Sequence, residues 1–297
     1  MLHHPDRRHA DLSLEARLES TVPHLAAIGP RNIRHLQALR RASRDIEASL
    51  AATGSRTGRQ EYEARETTFS NIIAEVAGHA PSPDIIVVGA HYDSHKESPG
   101  ANDNGSGVAI LIELARAAAM RRHAQSLRFV AFTNEESPFT RTNKMGSYVY
   151  AQACRKRGDR IRGMLCLETL GCYSEKLGSQ RLSFGGLLLP RQGNFLALVG
   201  NPRSKRLLTQ VAAALPRGES LRVEPWILPE YLPGARSSDQ WSFWKHGFPA
   251  VMATDTAPLR YRAYHRRDDT PDKLDFVWLA RVTKALDVAV NELANTA

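Results

Sequence analysis

The residues of this chain that could do chemistry are carboxylates and histidines that follow apolar runs. His91 comes directly after the run Ile85 to Ala90, and the pair Glu135-Glu136 comes shortly after the run Leu127 to Phe132. Because ligands bind at the carboxyl ends of strands in open α/β sheets, side chains in such positions are expected to meet at one sheet edge. The histidines and carboxylates in such positions are His91, Asp93, Asp103, Glu135, Glu136, Glu168, His265, Asp268 and Asp269.

This set suits a divalent metal ion. Two imidazoles and several carboxylates, with few thiols, are ligands for zinc, manganese or cobalt, and the paired imidazoles favour zinc. Each residue alone has an ordinary explanation, since a lone histidine is commonly hydrogen-bonded, Asp103 suits a turn and Glu135-Glu136 suits a helix cap. Three successive strands that place acids or histidine at the same edge are hard to explain by chance, so the combination predicts a metal site.

The elements that must position these residues alternate between helices and strands, as in a doubly wound α/β domain. Apolar residues at helical spacing predict helices over Leu12 to Ile28, Asn32 to Ala52, Val108 to Ala124, Tyr148 to Arg157, Lys205 to Leu215, a short segment from Asp239, and Val277 to Leu293. Alternating or continuous apolar runs predict strands over Tyr62 to Phe69, Ile72 to Val76, Ile85 to Ala90, Leu127 to Phe132, Met164 to Leu167, Phe195 to Val199, Leu221 to Ile227 and Ala250 to Ala253. The first two strands are expected to form an antiparallel hairpin or an edge pair, and the first two helices to pack on the sheet.

Length and composition are those of an ordinary globular protein, with 297 residues, 42% of them hydrophobic and 24% charged. We predict one catalytic domain over residues 1–297. Helices of residues 1–55 pack on it, and residues 173–192, which are rich in glycine, form a loop insertion.

Composition also argues against several classes of protein. No segment approaches the roughly 18 apolar residues that span a bilayer, and Met1 to Arg8 is not followed by the apolar stretch of a secretory signal. Together with three cysteines, too few for a disulfide framework, this predicts a cytoplasmic protein without membrane contact. The net charge of +9 suits nucleic acid, but the arginine runs lack interleaved aromatic residues, so no nucleic-acid partner is predicted. No GxSxG motif follows a strand, which disfavours a serine hydrolase.

The motifs resemble those of the co-catalytic di-zinc aminopeptidases, a family that also includes glutamate carboxypeptidases and, in a divergent branch, glutaminyl cyclases. The matching segments, in the family's order, are His91-Tyr92-Asp93-Ser94, Gly100 to Gly107, Asn134-Glu135-Glu136, His265, and Asp269 to Asp275. The resemblance implies a three-layer α/β/α sandwich around a mixed, mostly parallel sheet.

The resemblance also implies a ligand set for two zinc ions per chain, with cobalt or manganese as substitutes. Asp103 would bridge both ions. His91 and Glu168 would complete one site, and Glu136 and His265 the other.

Further roles follow from the same resemblance. Glu135 would be the general base, and Asp93 would hold the free ring nitrogen of His91 so that the ligating tautomer is fixed. The peptide bond between Asp103 and Asn104 is expected to be cis, as it often is in the family.

Some positions depart from the family's pattern or have an open role. Glu168 stands where the family usually has aspartate, and Gln240 stands where relatives often have histidine. Asp239 is either an acid behind the metal ligands or a helix N-cap. Tyr231 is a candidate hydrogen-bond donor to the oxyanion or an ordinary loop aromatic, and the segment Ser137 to Thr140 either lines the substrate pocket or forms a turn.

The function implied is that of a zinc-dependent aminopeptidase acting on a peptide or small aminoacyl substrate. Glu135 would take a proton from the attacking water and deliver it to the leaving amine. Two alternatives remain: a glutaminyl cyclase-like acyltransferase with one zinc, and a non-catalytic relative that binds peptide or amine ligands. The sequence does not predict the preferred N-terminal residue, the native metal or the oligomeric state.

Overall fold

The computed structural model describes residues 12–81, 84–181, 183–184, 187–188, 190–215 and 221–296. The strands are β1 (Arg56–Ala64), β2 (Thr67–Val76), β3 (Ile85–His91), β4 (Ser126–Phe132), β5 (Ile161–Glu168), β6 (Ser183–Phe184), β7 (Leu187–Leu188), β8 (Phe195–Gly200), β9 (Arg222–Ile227) and β10 (Ala250–Thr254). The helices are α1 (Leu14–Ala27), α2 (Leu36–Ala51), α3 (Gly107–Ala119), α4 (Gly146–Arg157), α5 (Lys205–Ala214), α6 (Gln240–Lys245), α7 (Ala257–Arg260) and α8 (Phe276–Asn295).

Eight strands form one mixed sheet in the order β1-β2-β4-β3-β5-β10-β8-β9, and β6 pairs with β7 in a small separate sheet. The four central strands β4, β3, β5 and β10 are parallel to one another. Antiparallel pairing is found towards the edges, between β1 and β2, β2 and β4, and β10 and β8. The central strands therefore direct their carboxyl ends to one edge of the sheet.

The buried strand β3 shows how the sequence builds three layers. Side chains alternate across a strand, so Ile86 and Val88 join the core under α3 and α8, while Val87 joins the core under α4 and α6. Both faces are covered, as the continuous apolar run predicts. The predicted α/β/α sandwich around a mixed, mostly parallel sheet is confirmed.

Of the two N-terminal helices, α2 packs on the sheet as expected, whereas α1 packs mainly on other helices. Helix α2 lies on β1 and β2, and α1 packs against α8 and the turn that precedes α3. Both helices contribute buried leucines, such as Leu18 and Leu50, to the larger core.

The predicted strand Tyr62 to Phe69 is wrong, because it runs through the turn of the β1–β2 hairpin. Tyr62 pairs with Phe69 across a two-residue turn at Arg65 and Glu66, whose φ angles are 47° and 57°. Two consecutive positive φ angles make the tight turn that matches the twist of a hairpin, and glycine or asparagine usually marks it. Arg65-Glu66 carries no such signal, so the apolar alternation continued through the reversal.

Helix α3 is shorter than the predicted Val108 to Ala124, since it ends at Ala119. The main-chain N–H of Arg121 and the Nε2 atom of His123 both bond the carbonyl oxygen of Ala118, at 3.0 Å each. These contacts close the helix and turn the chain towards β4.

The candidate insertion 173–192 includes β6 and β7, outside the eight-stranded sheet. Residues 182, 185–186 and 189 of this segment are outside the described residues, as is Met1 to Arg8. Within the described part of the chain, no helix combines the length and apolar character needed to cross a membrane.

Candidate metal centre

All seven residues to which the resemblance gives a role lie where the central strands end. His91 is the last residue of β3, and Glu168 is the last residue of β5. Since parallel strands place their carboxyl ends together, the two side chains start from neighbouring positions. The other members, in loops at the same edge, are Asp93, Asp103, Glu135, Glu136 and His265.

The first group of possible ligands consists of His91, Asp103 and Glu168. The Nε2 atom of His91 lies 3.4 Å from Oδ1 of Asp103 and 3.3 Å from Oε2 of Glu168. All three residues are buried, and their ligand atoms are close enough to hold one ion.

The second group shares Asp103 with the first. The Nε2 atom of His265 lies 3.1 Å from Oδ2 of Asp103 and 3.3 Å from Oε1 of Glu136. The two oxygens of the Asp103 carboxylate thus face two different histidines.

The spacing of these atoms fits zinc. Ligands at 2.0–2.2 Å from a tetrahedral zinc lie about 3.3–3.6 Å from one another, close to the four distances above. In addition, Oδ2 of Asp103 and Oε1 of Glu136 are buried and have no hydrogen-bond partner among the described residues. Buried polar atoms are normally satisfied, so a cation is a physical explanation for both.

The electrostatics of the site point the same way. Burial lowers the pKa of His265, but the carboxylates of Asp103 and Glu136 outweigh it and raise the pKa to about 10. Burial also opposes ionisation of Asp103, yet His265 and His91 hold its pKa below the ordinary value. Two ionised carboxylates around an imidazole that attracts a proton form a site that favours positive charge.

Asp93 holds the loop that carries Glu135 and Glu136. Its Oδ1 accepts the main-chain N–H of Glu135 at 3.1 Å, and its Oδ2 accepts that of Glu136 at 3.0 Å. The expected bond between the Asp93 carboxylate and His91 is not formed, because the separation from Nδ1 is 3.6 Å. The main-chain carbonyl of Asp93 accepts from Nδ1 instead, at 3.1 Å, so the same residue fixes the ring by a different atom.

Glu135 is buried beside the two groups of possible ligands. Its burial, and to a smaller extent the charges of Glu136 and Glu168, raises its pKa well above the ordinary value, against the opposing effect of His91. Thr140 supports the loop by donating its hydroxyl to the carbonyl of Glu135 at 2.7 Å. A raised pKa makes the ionised carboxylate a stronger proton acceptor.

The turn Ala101–Ser106 sets the position of Asp103. Asp269 accepts the main-chain N–H groups of Asn102 and Asp103 at 2.9 and 3.1 Å. Gly100 has a φ of 61°, and a Cβ there would lie 2.5 Å from the carbonyl oxygen of Asp103, so the close approach requires glycine. The Asp103–Asn104 bond is cis, as expected.

A buried arginine ties the N-terminal helices to this site. The guanidinium of Arg31 donates to the carbonyl oxygens of Leu25, Gly29, Tyr92, Pro99 and Gly100. Burial lowers the pKa of Arg31 to about 10, which leaves it charged at neutral pH. Arg31 therefore fixes both ends of the segment between β3 and the turn that carries Asp103.

Two residues at the site were missed by the sequence analysis. Ser238 donates its hydroxyl to Oε2 of Glu168 at 2.6 Å and so fixes the longer arm of this glutamate. Nδ1 of His95 lies 3.0 Å from Oε2 of Glu136. Ser238 directly precedes Asp239-Gln240, where the chain departs from the family's pattern, and His95 directly follows the motif His91 to Ser94. Their position next to these motifs is the feature of the sequence that could have identified them.

The positions with open roles resolve in part. Asp239 precedes α6 but makes no capping hydrogen bond through its side chain; it is buried, and burial raises its pKa to about 7. Gln240 donates to the carbonyl of Ala235 at 2.9 Å. Tyr231 is 74% exposed. In the segment Ser137 to Thr140, Phe139 packs against another buried ring, as in a turn anchored to the core.

A largely apolar cleft opens beside Glu168. Among the described residues of its lining, Glu168 is the one charged side chain. The apolar part of the lining includes Val199, Trp226, Leu228, Met252, Leu259 and Tyr264.

Known proteins resemble this chain in fold and in sequence. Structurally, the chain resembles a glutaminyl cyclase of Bacteroides thetaiotaomicron, with a TM-score of 0.70, 16% identity, and coverage of 94% of this chain and 98% of that one. It also resembles an aminopeptidase from Aneurinibacillus sp. strain AM-1, with a TM-score of 0.56 and 28% identity, covering 77% of this chain and 49% of that one.

In sequence, the chain is 35% identical over 276 residues to the uncharacterized protein YfbL of Escherichia coli (strain K12). The aligned region covers 89% of this chain and 84% of that protein. Residues 71–290 match the model of peptidase family M28. This match includes the strands, the turn and the loops that carry all seven candidate residues. The chain therefore belongs to peptidase family M28.

Proposed function

We propose that this chain is a zinc-dependent aminopeptidase with two metal ions per chain. The first ion would be held by His91, Asp103 and Glu168, and the second by Asp103, Glu136 and His265. The observation that carries the proposal is the placement of Asp103, whose two carboxylate oxygens face two histidines at 3.4 and 3.1 Å.

The ions would supply Lewis-acid chemistry, lowering the pKa of a water molecule from 15.7 towards about 7 and polarising the scissile carbonyl. Glu135 would accept the proton of the attacking water at its carboxylate and donate it to the amine that leaves. Its raised pKa favours the first half of this transfer, and Asp93 keeps its main chain in place.

The apolar cleft is the proposed site for the side chain of the N-terminal residue. It adjoins Glu168, so a substrate whose side chain fills the cleft would place its amine near the carboxylates of the site. We infer a preference for large apolar N-terminal residues, because the lining offers burial and, Glu168 apart, no charge to pair with.

Two alternatives are less well supported. A glutaminyl cyclase-like acyltransferase with one zinc would not need two complete ligand sets. In support of two sets, His91, Asp103 and Glu168 form one group, and His265 lies 3.1 Å from Asp103 and 3.3 Å from Glu136. A non-catalytic relative would not need Glu135, which is present and buried beside the ligands.

Product analysis separates these possibilities. The zinc-loaded protein would be incubated with two peptides that differ only in the first residue, leucine or glutamine, and with the leucine peptide acetylated at its N-terminus. We expect mass spectrometry to show loss of the leucine residue, with the acetylated peptide unchanged. Loss of ammonia from the glutamine peptide without hydrolysis would identify a cyclase, and three unchanged peptides would identify a non-catalytic protein.

We further propose that the protein acts in the cytoplasm on peptides or small aminoacyl compounds. All three cysteines, Cys154, Cys166 and Cys172, are free thiols, which a reducing compartment preserves.

A further inference from the structure

We infer that His95 is a positioning residue that orients two of the three ligands of the second metal site, Glu136 and His265. The inference rests on the proposed function, because it assigns His95 a role towards the ion that this site would hold. The two contacts that carry it are independent of each other.

The first contact is a hydrogen bond to Glu136. Nδ1 of His95 lies 3.0 Å from Oε2 of Glu136, and a carboxylate can only accept, so the imidazole donates. The other oxygen, Oε1, is left without a hydrogen-bond partner among the described residues and faces Nε2 of His265 at 3.3 Å. His95 therefore occupies one oxygen and presents the other to the metal position.

The second contact is a ring stack on His265. The centroids of the two imidazoles are 3.9 Å apart and their planes differ by 3°. Tyr264 covers the opposite face of His265 at 3.8 Å and 20°. His265 lies in a loop and is 33% exposed, so this sandwich, rather than a surrounding core, restricts the rotation of its ring.

The first metal site achieves the same result with two separate residues. There Ser238 holds Glu168, and the carbonyl of Asp93 holds the ring of His91. At the second site one imidazole does both, since it has a flat face and an N–H on its edge. Loss of His95 should consequently affect the second site and leave the first unchanged.

The test uses the purified full-length protein and three variants. His95→Phe keeps a ring but has no N–H, His95→Asn keeps an N–H but has no ring, and His95→Ala has neither. His24→Ala is the matched control, since His24 is 53% exposed on α1. The zinc affinities of both sites would be measured by competition with a chromophoric chelator. The visible absorption spectrum of each protein would be recorded after saturation with cobalt.

We expect two ions in the parent protein, and in His95→Ala one affinity weakened by about 10- to 100-fold with the other unchanged. His95→Phe and His95→Asn should each show part of the loss, and His24→Ala none. The saturated cobalt spectrum of each variant should match the parent, because the ligand set is the same.

Other results overturn the inference in distinguishable ways. Parent-like affinities at both sites in His95→Ala would refute the positioning role while leaving the proposed function intact. A changed cobalt spectrum at saturation would make His95 a direct ligand instead. A parent protein that binds fewer than two ions would refute the proposed function itself. Should His95→Ala not fold, as judged by circular dichroism, the same comparison is made with His95→Asn.

Discussion

Oδ2 of Asp103 lies 3.1 Å from Nε2 of His265, although Asp103 follows β3 and His265 follows β10, with β5 between these two strands in the sheet. Asp103 is the member that both proposed sites share, whereas His265 belongs to one. Replacing these two residues should therefore have different effects on metal binding.

We expect Asp103→Ala to lose both ions and His265→Ala to lose mainly the second. An ion that binds only the folded state stabilises it by about 2.7 kcal/mol at a free concentration 100 times its dissociation constant. Thermal unfolding with and without added zinc should thus show a smaller zinc-dependent rise in Tm for Asp103→Ala than for His265→Ala. Asp103→Ala with two ions at parental affinity would show that the assignment of ligands is wrong.

Glu135 and Glu136 are neighbours in the chain with different proposed roles. Glu135→Gln keeps size and hydrogen bonding but cannot accept a proton, so metal content should stay the same while kcat falls by about 10² to 10⁴. Glu136→Gln should weaken metal binding, and excess zinc should restore part of its activity. Recovery of Glu135→Gln by added zinc, or normal turnover by this variant, would refute the assigned roles.

The cleft predicts the substrate preference. Leu259→Asp places a carboxylate in the apolar lining and should lower kcat/KM for a leucyl substrate by about tenfold or more, with a smaller effect on an alanyl substrate. Leu177→Asp is the matched control, since Leu177 is 61% exposed and is not part of the described lining. Equal losses for the leucyl and alanyl substrates would mean that the cleft does not receive the N-terminal side chain.

Arg31 predicts a large effect on stability. Arg31→Met removes the donors to five carbonyl oxygens and should lower the free energy of unfolding by about 3 kcal/mol or more, because unsatisfied buried acceptors cost about 1–3 kcal/mol each. The exposed neighbour Arg34 provides the control, since Arg34→Met should stay within about 0.5 kcal/mol of the parent. Chemical denaturation of the zinc-free proteins measures both, and equal values would contradict the role given to Arg31.

Much of the fold could be predicted because apolar periodicity reports burial directly. The continuous run in β3 predicted a strand covered on both faces and a polar residue at its end. The β1–β2 turn could not be predicted, because Arg65 and Glu66 adopt positive φ without the glycine or asparagine that normally marks it.

The candidate site, too, could be predicted in part. The seven residues were candidates because they are of ligand types and follow predicted strands, and the resemblance suggested their roles. The roles of Ser238 and His95 could not be predicted, because a serine or histidine that supports a ligand follows no characteristic spacing in the sequence. Their contacts depend on how separate loops pack, as does the choice between carbonyl and carboxylate of Asp93 as the partner of His91.

The central claim is that one chain holds two metal ions around Asp103, and zinc titration of the chelator-treated protein tests it most directly. Elemental analysis after removal of unbound metal should give two zinc ions per chain, with hydrolysis of leucyl substrates returning as zinc is restored. A reproducible maximum of one ion per chain, with full activity, would contradict the two-metal account.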